Sequence, residues 1–117
     1  MPGDYKELLA WQRSMDLIVT VYESTRHFPA DERFGLTNQL RRAVVSIASN
    51  IAEGQGRQTN ADFQRFLRIA NGSRQEVETQ FLVATRLGFV DEHVTQPILE
   101  RLQEIGRLIG GLIRSLS

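Results

Sequence analysis

Apolar residues between Gly35 and Arg57 recur at intervals of three and four, and this period most limits the folds open to the chain. An α-helix turns once in 3.6 residues, so residues at these intervals share one helical face. The segment therefore predicts an amphipathic helix over residues 36–54, with Gly54 as a left-handed cap. The predicted core stripe is Leu36, Leu40, Ala43, Val44, Ile47, Ala48 and Ile51.

Three further segments show the same helical period, and no segment alternates with the period of two that is typical of strands. The predicted helices cover residues 8–27, 60–87 and 95–116. Thr59 and Asp62 resemble a capping box at the start of the third helix, and Pro97 is predicted in the first turn of the fourth. Four helices joined by short loops predict an all-α, up-down-up-down antiparallel four-helix bundle, formed as one domain by residues 1–117.

Apolar residues of the first helix extend over more than one face. The predicted inward stripe is Trp11, Met15, Ile18, Val19 and Tyr22, and Leu17 and Val21 widen it. Once each helix has a core stripe, the apolar residues left over are Leu17, Val21, Val45, Ile69, Leu82, Val83, Leu99 and Ile113. Large exposed apolar patches usually mark interaction surfaces, which predicts self-association; the alternative is one wide stripe buried inside a single bundle.

Glycine also interrupts the predicted third helix, at Gly72 before Ser73. A glycine inside a helix costs about 1 kcal/mol relative to alanine. A close approach by a neighbouring helix would account for it, and the alternative is that the chain merely tolerates it.

Charge and composition exclude several classes of protein. The 117 residues contain no cysteine, and 14 basic side chains balance 14 acidic ones. No basic region with an apolar run opens the chain, and no window approaches the roughly 20 apolar residues of a membrane span. We expect a cytoplasmic protein without membrane contact. The charge is uneven, with net values of −3 over residues 1–32, +5 over 33–74 and −2 over 75–117.

No catalytic or metal-binding pattern stands out. His27 and His93 lie near predicted helix ends without a ligand-spaced partner, and the Glu-x-x-His motif of di-iron bundles does not occur. Ser46, Ser49 and Ser73 have no nearby histidine to activate them. The sequence predicts a protein that is not an enzyme and holds neither a cofactor nor a metal.

The arginines supply the one candidate binding surface. Thirteen of the 14 basic residues are arginine, a side chain that binds carboxylate or phosphate in a bidentate manner. Two hypotheses remain open: the surface binds RNA or DNA phosphates, or Arg41, Arg42 and Arg74 pair with Glu53, Glu76 or Glu78 across helix contacts. The candidate residues on or beside the second and third helices are Arg41, Arg42, Arg57, Arg65, Arg68 and Arg74.

The central sequence GLTNQLRRAVVSIASNIAEGQGR, followed by FQRFLRIANGSRQEVETQF, resembles a family of four-helix bundles encoded by intervening sequences in bacterial large-subunit ribosomal RNA genes. LLAWQRSMDLIVTVY, HFPADERFGL and ATRLGFV extend the resemblance over nearly the whole chain. The sequence is also similar to the accessory variability determinant of diversity-generating retroelements. The matching polar positions, whose role is either structural or functional, are Asn38, Gln39, Arg41, Arg42, Ser46, Ser49, Asn50, Glu53 and Gly54.

The resemblance implies a cytosolic bundle that assembles as a homopentameric ring or barrel. It also implies contacts with nucleic acid and with a reverse transcriptase. We therefore expect a non-enzymatic oligomeric scaffold with weak, sequence-nonspecific RNA or DNA binding through the arginines. The alternative is a protein interaction module that binds a reverse transcriptase or another cytosolic protein without touching nucleic acid.

Overall fold

The computed structural model describes residues 4–117, and within them the chain forms four α-helices and no strand. The helices are α1 (Leu9–Thr25), α2 (Leu36–Gln55), α3 (Asn60–Arg86) and α4 (Glu92–Ser115). Short 3-10 turns at Tyr5–Glu7 and Ala30–Glu32 precede α1 and α2. None of these helices, over the described residues, combines the length and apolar character needed to cross a membrane.

Polar caps mark the starts of α3 and α4, and one glycine follows the end of α3. The Thr59 hydroxyl accepts a 3.1 Å hydrogen bond from the Asp62 amide, which confirms the predicted cap of α3. Gly88, with φ of 78°, ends α3 in the left-handed conformation. The predicted place of Pro97 is wrong, because Asp91 caps α4 by accepting from the His93 amide at 2.9 Å. The helix starts at Glu92, so Pro97 lies in its second turn.

The helices form a four-sided bundle in which each packs against its neighbours in sequence and α4 returns to α1. Polar contacts close the seam between α1 and α4. Arg101 Nη1 donates to Thr20 Oγ1 at 2.8 Å, and Arg13 Nε lies 3.6 Å from Glu104 Oε1. The predicted all-α antiparallel four-helix bundle is confirmed, with extents of 43 × 24 × 19 Å.

The core stripe predicted for α2 is buried, apart from a half-buried Leu36. Facing residues of the other three helices complete one continuous core. The largest side chains that are fully buried include Phe81, Leu17, Leu40, Ile47, Ile51, Leu67, Ile98, Leu102, Ile105 and Ile109.

The stripe predicted for α1 is wrong at three of its five residues, and the other two, Trp11 and Ile18, pack partly buried against the core. Leu17 and Val21 are completely buried, whereas Met15, Val19 and Tyr22 face outward. The buried face also contains Ala10, Ser14 and Thr25. The hydroxyls of Ser14 and Thr25 donate to backbone carbonyls one turn earlier, at 2.7 and 2.8 Å, which satisfies them inside the core.

The eight leftover apolar residues divide into buried and exposed sets. Leu17 and Val21 belong to the core, and Leu99 and Ile113 pack partly buried against it. The other four are exposed on α2 and α3: Val45, Ile69, Leu82 and Val83. Half of the predicted surplus therefore remains on the outside of the bundle.

Two glycines differ from their predicted roles. Gly54 does not adopt the left-handed conformation but lies buried inside α2, and an added Cβ would lie 2.7 Å from Phe66 Cβ and 3.0 Å from Phe63 Cδ1. It therefore permits close packing of α2 on α3. Gly72 has the opposite surroundings, because an added Cβ would meet nothing within 4 Å. The close approach predicted at Gly72 is therefore not made by any helix within residues 4–117.

Candidate functional site

Arg41 lies at the seam between α1 and α2. Its Nε donates to Thr25 Oγ1 at 2.9 Å, and its Nη2 lies 3.3 Å from the Tyr22 carbonyl oxygen. The guanidinium also covers the Tyr22 ring at 4.6 Å from the centroid. A cation–π contact and two hydrogen bonds hold this arginine, so Arg41 ties two helices together.

Arg74 lies on the opposite side of the α2/α3 pair, at the seam between α3 and α4. Its side chain is only 14% exposed and lies against Gly106, where an added Cβ would come 2.8 Å from Arg74 Nε. The Nε atom donates to Asn71 Oδ1 at 2.8 Å, and Nη1 lies 3.4 Å from Glu78 Oε2. Its carboxylate partner is one turn away on α3 itself, so this ion pair does not cross between helices.

Arg57 and Arg65 flank Phe66 where α2 turns into α3. Their guanidinium carbons lie 4.6 and 4.5 Å from the ring centroid. Arg57 pairs with Glu53 at 2.9 Å and Arg65 with Asp62 at 3.4 Å, and all four charged side chains are partly exposed. Exposed pairs of this kind contribute about 0–1 kcal/mol, so a phosphate can compete for both arginines.

Arg42 and Arg68 are the exposed arginines of the set whose side chains have no hydrogen bond or ion pair with any described residue, 4–117. Arg42 borders a groove of about 410 Å³ between α2 and α3, which we call the polar groove. Its lining includes Asn38, Gln39, Arg42, Ser46, Glu76 and Gln80. Gln80 Oε1 is buried there without a hydrogen-bond partner among the described residues. The sequence pattern does not indicate this groove, because its two sides lie far apart along the chain.

The polar positions shared with the family have mixed roles. Ser46 Oγ and Ser73 Oγ are 2.8 Å apart, and Asn50 Nδ2 donates to Ser46 Oγ at 2.9 Å, so these three link α2 to α3. Glu53 pairs with Arg57 and Gly54 gives Phe66 room. Of the remaining three, Asn38 and Gln39 are exposed in the polar groove, and Ser49 faces the opposite side of α2.

The six candidate arginines thus do not form one continuous surface. Arg41 and Arg74 serve different seams, and the Arg57/Arg65 pair lies at one end of the bundle. Ser46 lies beside Ser73, so Arg42 is near the level of residue 77 on the antiparallel α3. At 1.5 Å per residue, Arg42 and Arg65 are about 18 Å apart along the bundle.

An exposed apolar surface between α1 and α2 is the second prominent feature. Val19 is 59% exposed, Met15 41%, Tyr22 39% and Val45 37%. Together with the half-buried Trp11 and Ile18, these residues form what we call the α1/α2 surface. It has two adjoining concavities of about 390 and 330 Å³, and the floor of the larger includes the small residues Ala48 and Ala52.

The histidine, serine and acidic side chains within residues 4–117 are not grouped as acid–base or metal chemistry would require. No group of three or more histidine, cysteine or acidic side chains able to hold a metal occurs within residues 4–117. Ser46 and Ser73 bond each other, and both histidines are exposed near helix ends.

These features define a class of small helical bundles with a polar α2/α3 groove and an exposed apolar α1/α2 surface. The sequence profile of the 23S rRNA-intervening sequence proteins matches residues 6–111. The chain belongs to this family, which confirms the resemblance found in the sequence. No match is found among curated proteins.

A solved structure supports the fold. The chain is similar to a protein of unknown function from the S23 ribosomal protein family of Bacteroides thetaiotaomicron, whose crystal structure was determined at 1.70 Å resolution. The TM-score is 0.80 with 24% sequence identity, over 90% of this chain and 98% of the other. At this identity the likeness extends to the fold and carries no function.

Proposed function

We propose that the chain is a non-enzymatic, cytoplasmic, homo-oligomeric scaffold, and that the oligomer is a homopentameric ring. The α1/α2 surface is the observation that carries the proposal. Four large apolar side chains are exposed there side by side, and contiguous apolar patches commonly mark interaction surfaces. The number five comes from the family resemblance.

Light scattering coupled to gel filtration tests the assembly. We expect a mass five times the 13.3 kDa of the chain at micromolar concentration. A stable species with the mass of a single chain would refute the oligomer. Replacing Val19 and Val45 with glutamate should release monomers. These monomers should keep their helical circular dichroism, because both side chains lie on the outside of the single-chain bundle.

We further propose that the scaffold binds the phosphates of RNA or DNA weakly and without sequence preference. The guanidinium groups of Arg42 and Arg68 have no partner within residues 4–117. Arg57 and Arg65 form only exposed ion pairs with carboxylates, and a phosphate can replace those carboxylates. A ring repeats these charges in every subunit, and multivalency raises avidity without new contacts. Neutral net charge of the chain fits weak rather than tight binding.

Fluorescence anisotropy with a labelled single-stranded RNA and a DNA duplex at about 50 mM salt tests this step. The double variant Arg42→Glu/Arg68→Glu should bind at least tenfold more weakly. The slope of the logarithm of the binding constant against the logarithm of salt concentration should become shallower by about 2 for each subunit that contacts the nucleic acid. The matched control is Arg107→Glu/Arg114→Glu, which makes the same charge change at exposed positions of α4. Equal losses in both variants, or no binding by the parent protein, would refute the proposal.

A protein partner is the second candidate. The same apolar α1/α2 surface favours it, since such a surface suits a partner helix as well as a second subunit. A cytosolic protein such as a reverse transcriptase would then bind without nucleic acid. Capture of that purified partner should survive nuclease and high salt and fail with Val19→Glu; loss of capture on nuclease treatment would contradict it.

A further inference from the structure

A concavity of about 240 Å³ lies where α1 ends and α2 begins, and three arginines line it. They are Arg26 directly after α1, Arg33 in the turn and Arg41 on α2. We call this site the arginine concavity. None of its lining residues, all within residues 4–117, is acidic. Like charges that are gathered in one place repel one another, so a bound anion would relieve the repulsion.

None of the three guanidinium groups forms an ion pair with a carboxylate of residues 4–117. Arg33 lies against the ring of Phe34, 5.0 Å from the ring centroid. A contact with the face of a ring leaves the N–H groups of the guanidinium free to bind an anion. Arg26 makes no side-chain hydrogen bond to any described residue, and both arginines are exposed. A ligand can therefore reach both of them.

Three acidic residues are close to this segment in sequence, but their side chains lie elsewhere. Glu32 Oε1 accepts a 3.0 Å hydrogen bond from the Leu36 amide. Glu23 borders the adjoining α1/α2 surface, as Arg26 also does, without an ion pair between them. Asp31 is exposed in the turn and pairs with no side chain in the described part of the chain. The side chains that line the arginine concavity therefore carry only positive charge.

Arg41 gives the concavity a fixed cation. Its Nε and Nη2 atoms are held by Thr25 and by the Tyr22 carbonyl oxygen, whereas Nη1 makes no hydrogen bond to residues 4–117. Because the side chain is already held, little conformational freedom is lost when Nη1 binds a ligand.

Thr37 adds an uncharged donor at the same place. It lies four residues before Arg41, so the two share one face of α2. Thr37 is only 7% exposed, and its hydroxyl has no hydrogen-bond partner among the described residues. Buried hydroxyls normally have a partner, as Ser14 and Thr25 do. Thr37 also lies in the first turn of α2, where free amides and the positive end of the helix dipole favour an anion.

We infer that the arginine concavity binds a small anion with a terminal phosphate group, either inorganic phosphate or a phosphate monoester. A monoester carries a charge of about −1.5 to −2 near pH 7 and three acceptor oxygens. Three arginines and a hydroxyl match that charge and those oxygens. A carboxylate, or the phosphodiester of a nucleic acid, offers one charge and two free oxygens and matches them less well. The inference goes beyond the proposed scaffold and uses none of the four arginines proposed to bind RNA or DNA.

NMR titration of the isotope-labelled full chain tests the site. Inorganic phosphate, phenyl phosphate and acetate are added separately at constant ionic strength. We expect both phosphates to shift the Thr37 amide signal and the Nε–H signals of Arg33 and Arg41, and at least one to saturate with a Kd of about 1 mM or below. The tighter phosphate shows whether the free ion or the ester is preferred. Shifts that stay linear with both phosphates, or acetate binding as tight as phosphate, would overturn the inference.

Two variants locate the binding. Arg33→Gln removes one exposed charge, and we expect it to raise the Kd for the tighter phosphate about tenfold; Thr37→Val removes one hydroxyl and should raise it about threefold. Arg107→Gln makes the same charge change on the exposed side of α4 and should leave the Kd unchanged. An equal loss in Arg33→Gln and Arg107→Gln would mean that phosphate binds through general charge and not at this site.

Stability separates a ligand role of Thr37 from a structural one. Its hydroxyl has no partner within residues 4–117, so Thr37→Val should keep the Tm of the parent protein or raise it. A lower Tm with an unchanged Kd would show that the hydroxyl serves the fold, and would overturn its assignment to the anion.

A labelled single-stranded RNA is the last arm of the experiment. RNA binding that is lost in Arg33→Gln, in protein that neither phosphate shifts, would assign the concavity to nucleic acid and overturn the small ligand. The Arg42→Glu/Arg68→Glu variant should bind the phosphates like the parent protein. The phosphate site and the proposed RNA or DNA binding can therefore fail independently of each other.

Discussion

Arg41 and Arg42 are adjacent in sequence but point to different sides of α2, because successive helical residues are about 100° apart. Arg41 bonds to Thr25 and Tyr22 of α1, whereas Arg42 borders the polar groove without a partner within residues 4–117. One arginine therefore contributes to the bundle itself, and the other is available to a ligand.

Lysine substitution should separate these two roles. Arg41→Lys keeps the charge but loses the fork of donors and the planar contact with Tyr22, so we expect the free energy of unfolding to fall by about 1–2 kcal/mol. Arg42→Lys should change it by less than about 0.5 kcal/mol. Urea unfolding at one protein concentration measures both. Equal destabilisation by the two variants would contradict the assignment.

Gly54 shows how one missing side chain sets a helix contact. Gly54→Ala would place Cβ 2.7 Å from Phe66 Cβ, where neither backbone can yield easily. Crowding of this kind costs about 1–3 kcal/mol, which outweighs the gain in helix propensity of about 1 kcal/mol. Gly111→Ala is the matched control in α4, where the nearest atom is the flexible end of Arg114 at 3.9 Å. We expect thermal unfolding to show a lower Tm for the first variant and an unchanged or higher Tm for the second.

At the scale of the helices, α2 could be predicted from the sequence and the inward face of α1 could not. The apolar residues of α2 occupy one stripe, so the period alone identifies its buried side. Those of α1 occupy two overlapping stripes, and the buried one includes Ser14 and Thr25. A serine or threonine that bonds to its own helix can be buried at little cost, and that is a property of the folded backbone which periodicity does not report.

A pair of leucines in α1 tests its observed orientation. Leu17 is fully buried and Leu9 is 43% exposed, so the same substitution should have unequal effects. Leu17→Ala removes core contacts and leaves a cavity, which costs about 2–5 kcal/mol. Leu9→Ala should cost less than about 1 kcal/mol. Guanidinium unfolding of both variants measures the difference, and similar losses would mean that α1 is rotated about its axis.

For the whole molecule, the bundle followed from four helical periods and short loops, but the arrangement of the arginines did not. Arg41 and Arg74 lie on α2 and α3 and Arg57 in the turn between them, yet each contacts a different neighbour: α1, Gly106 of α4, and the ring of Phe66, respectively. Those contacts depend on how the helices are rotated and shifted against one another. Counting charges along the sequence therefore overstated the continuity of the basic surface.

Assembly should also be visible in the stability of the molecule. Val19, Met15 and Val45 gain little from folding of a single chain because they stay exposed, and their burial would come from subunit contact. Binding that occurs only in the folded state stabilises it by mass action. We therefore expect the Tm in scanning calorimetry to rise with protein concentration across a hundredfold range. Val19→Glu/Val45→Glu should remove that dependence and give the lower Tm of the isolated bundle at every concentration. A parent protein whose Tm stays constant across the range would show that the α1/α2 surface adds nothing to stability through self-association. The stability of the folded chain would then come from the core of the single bundle alone.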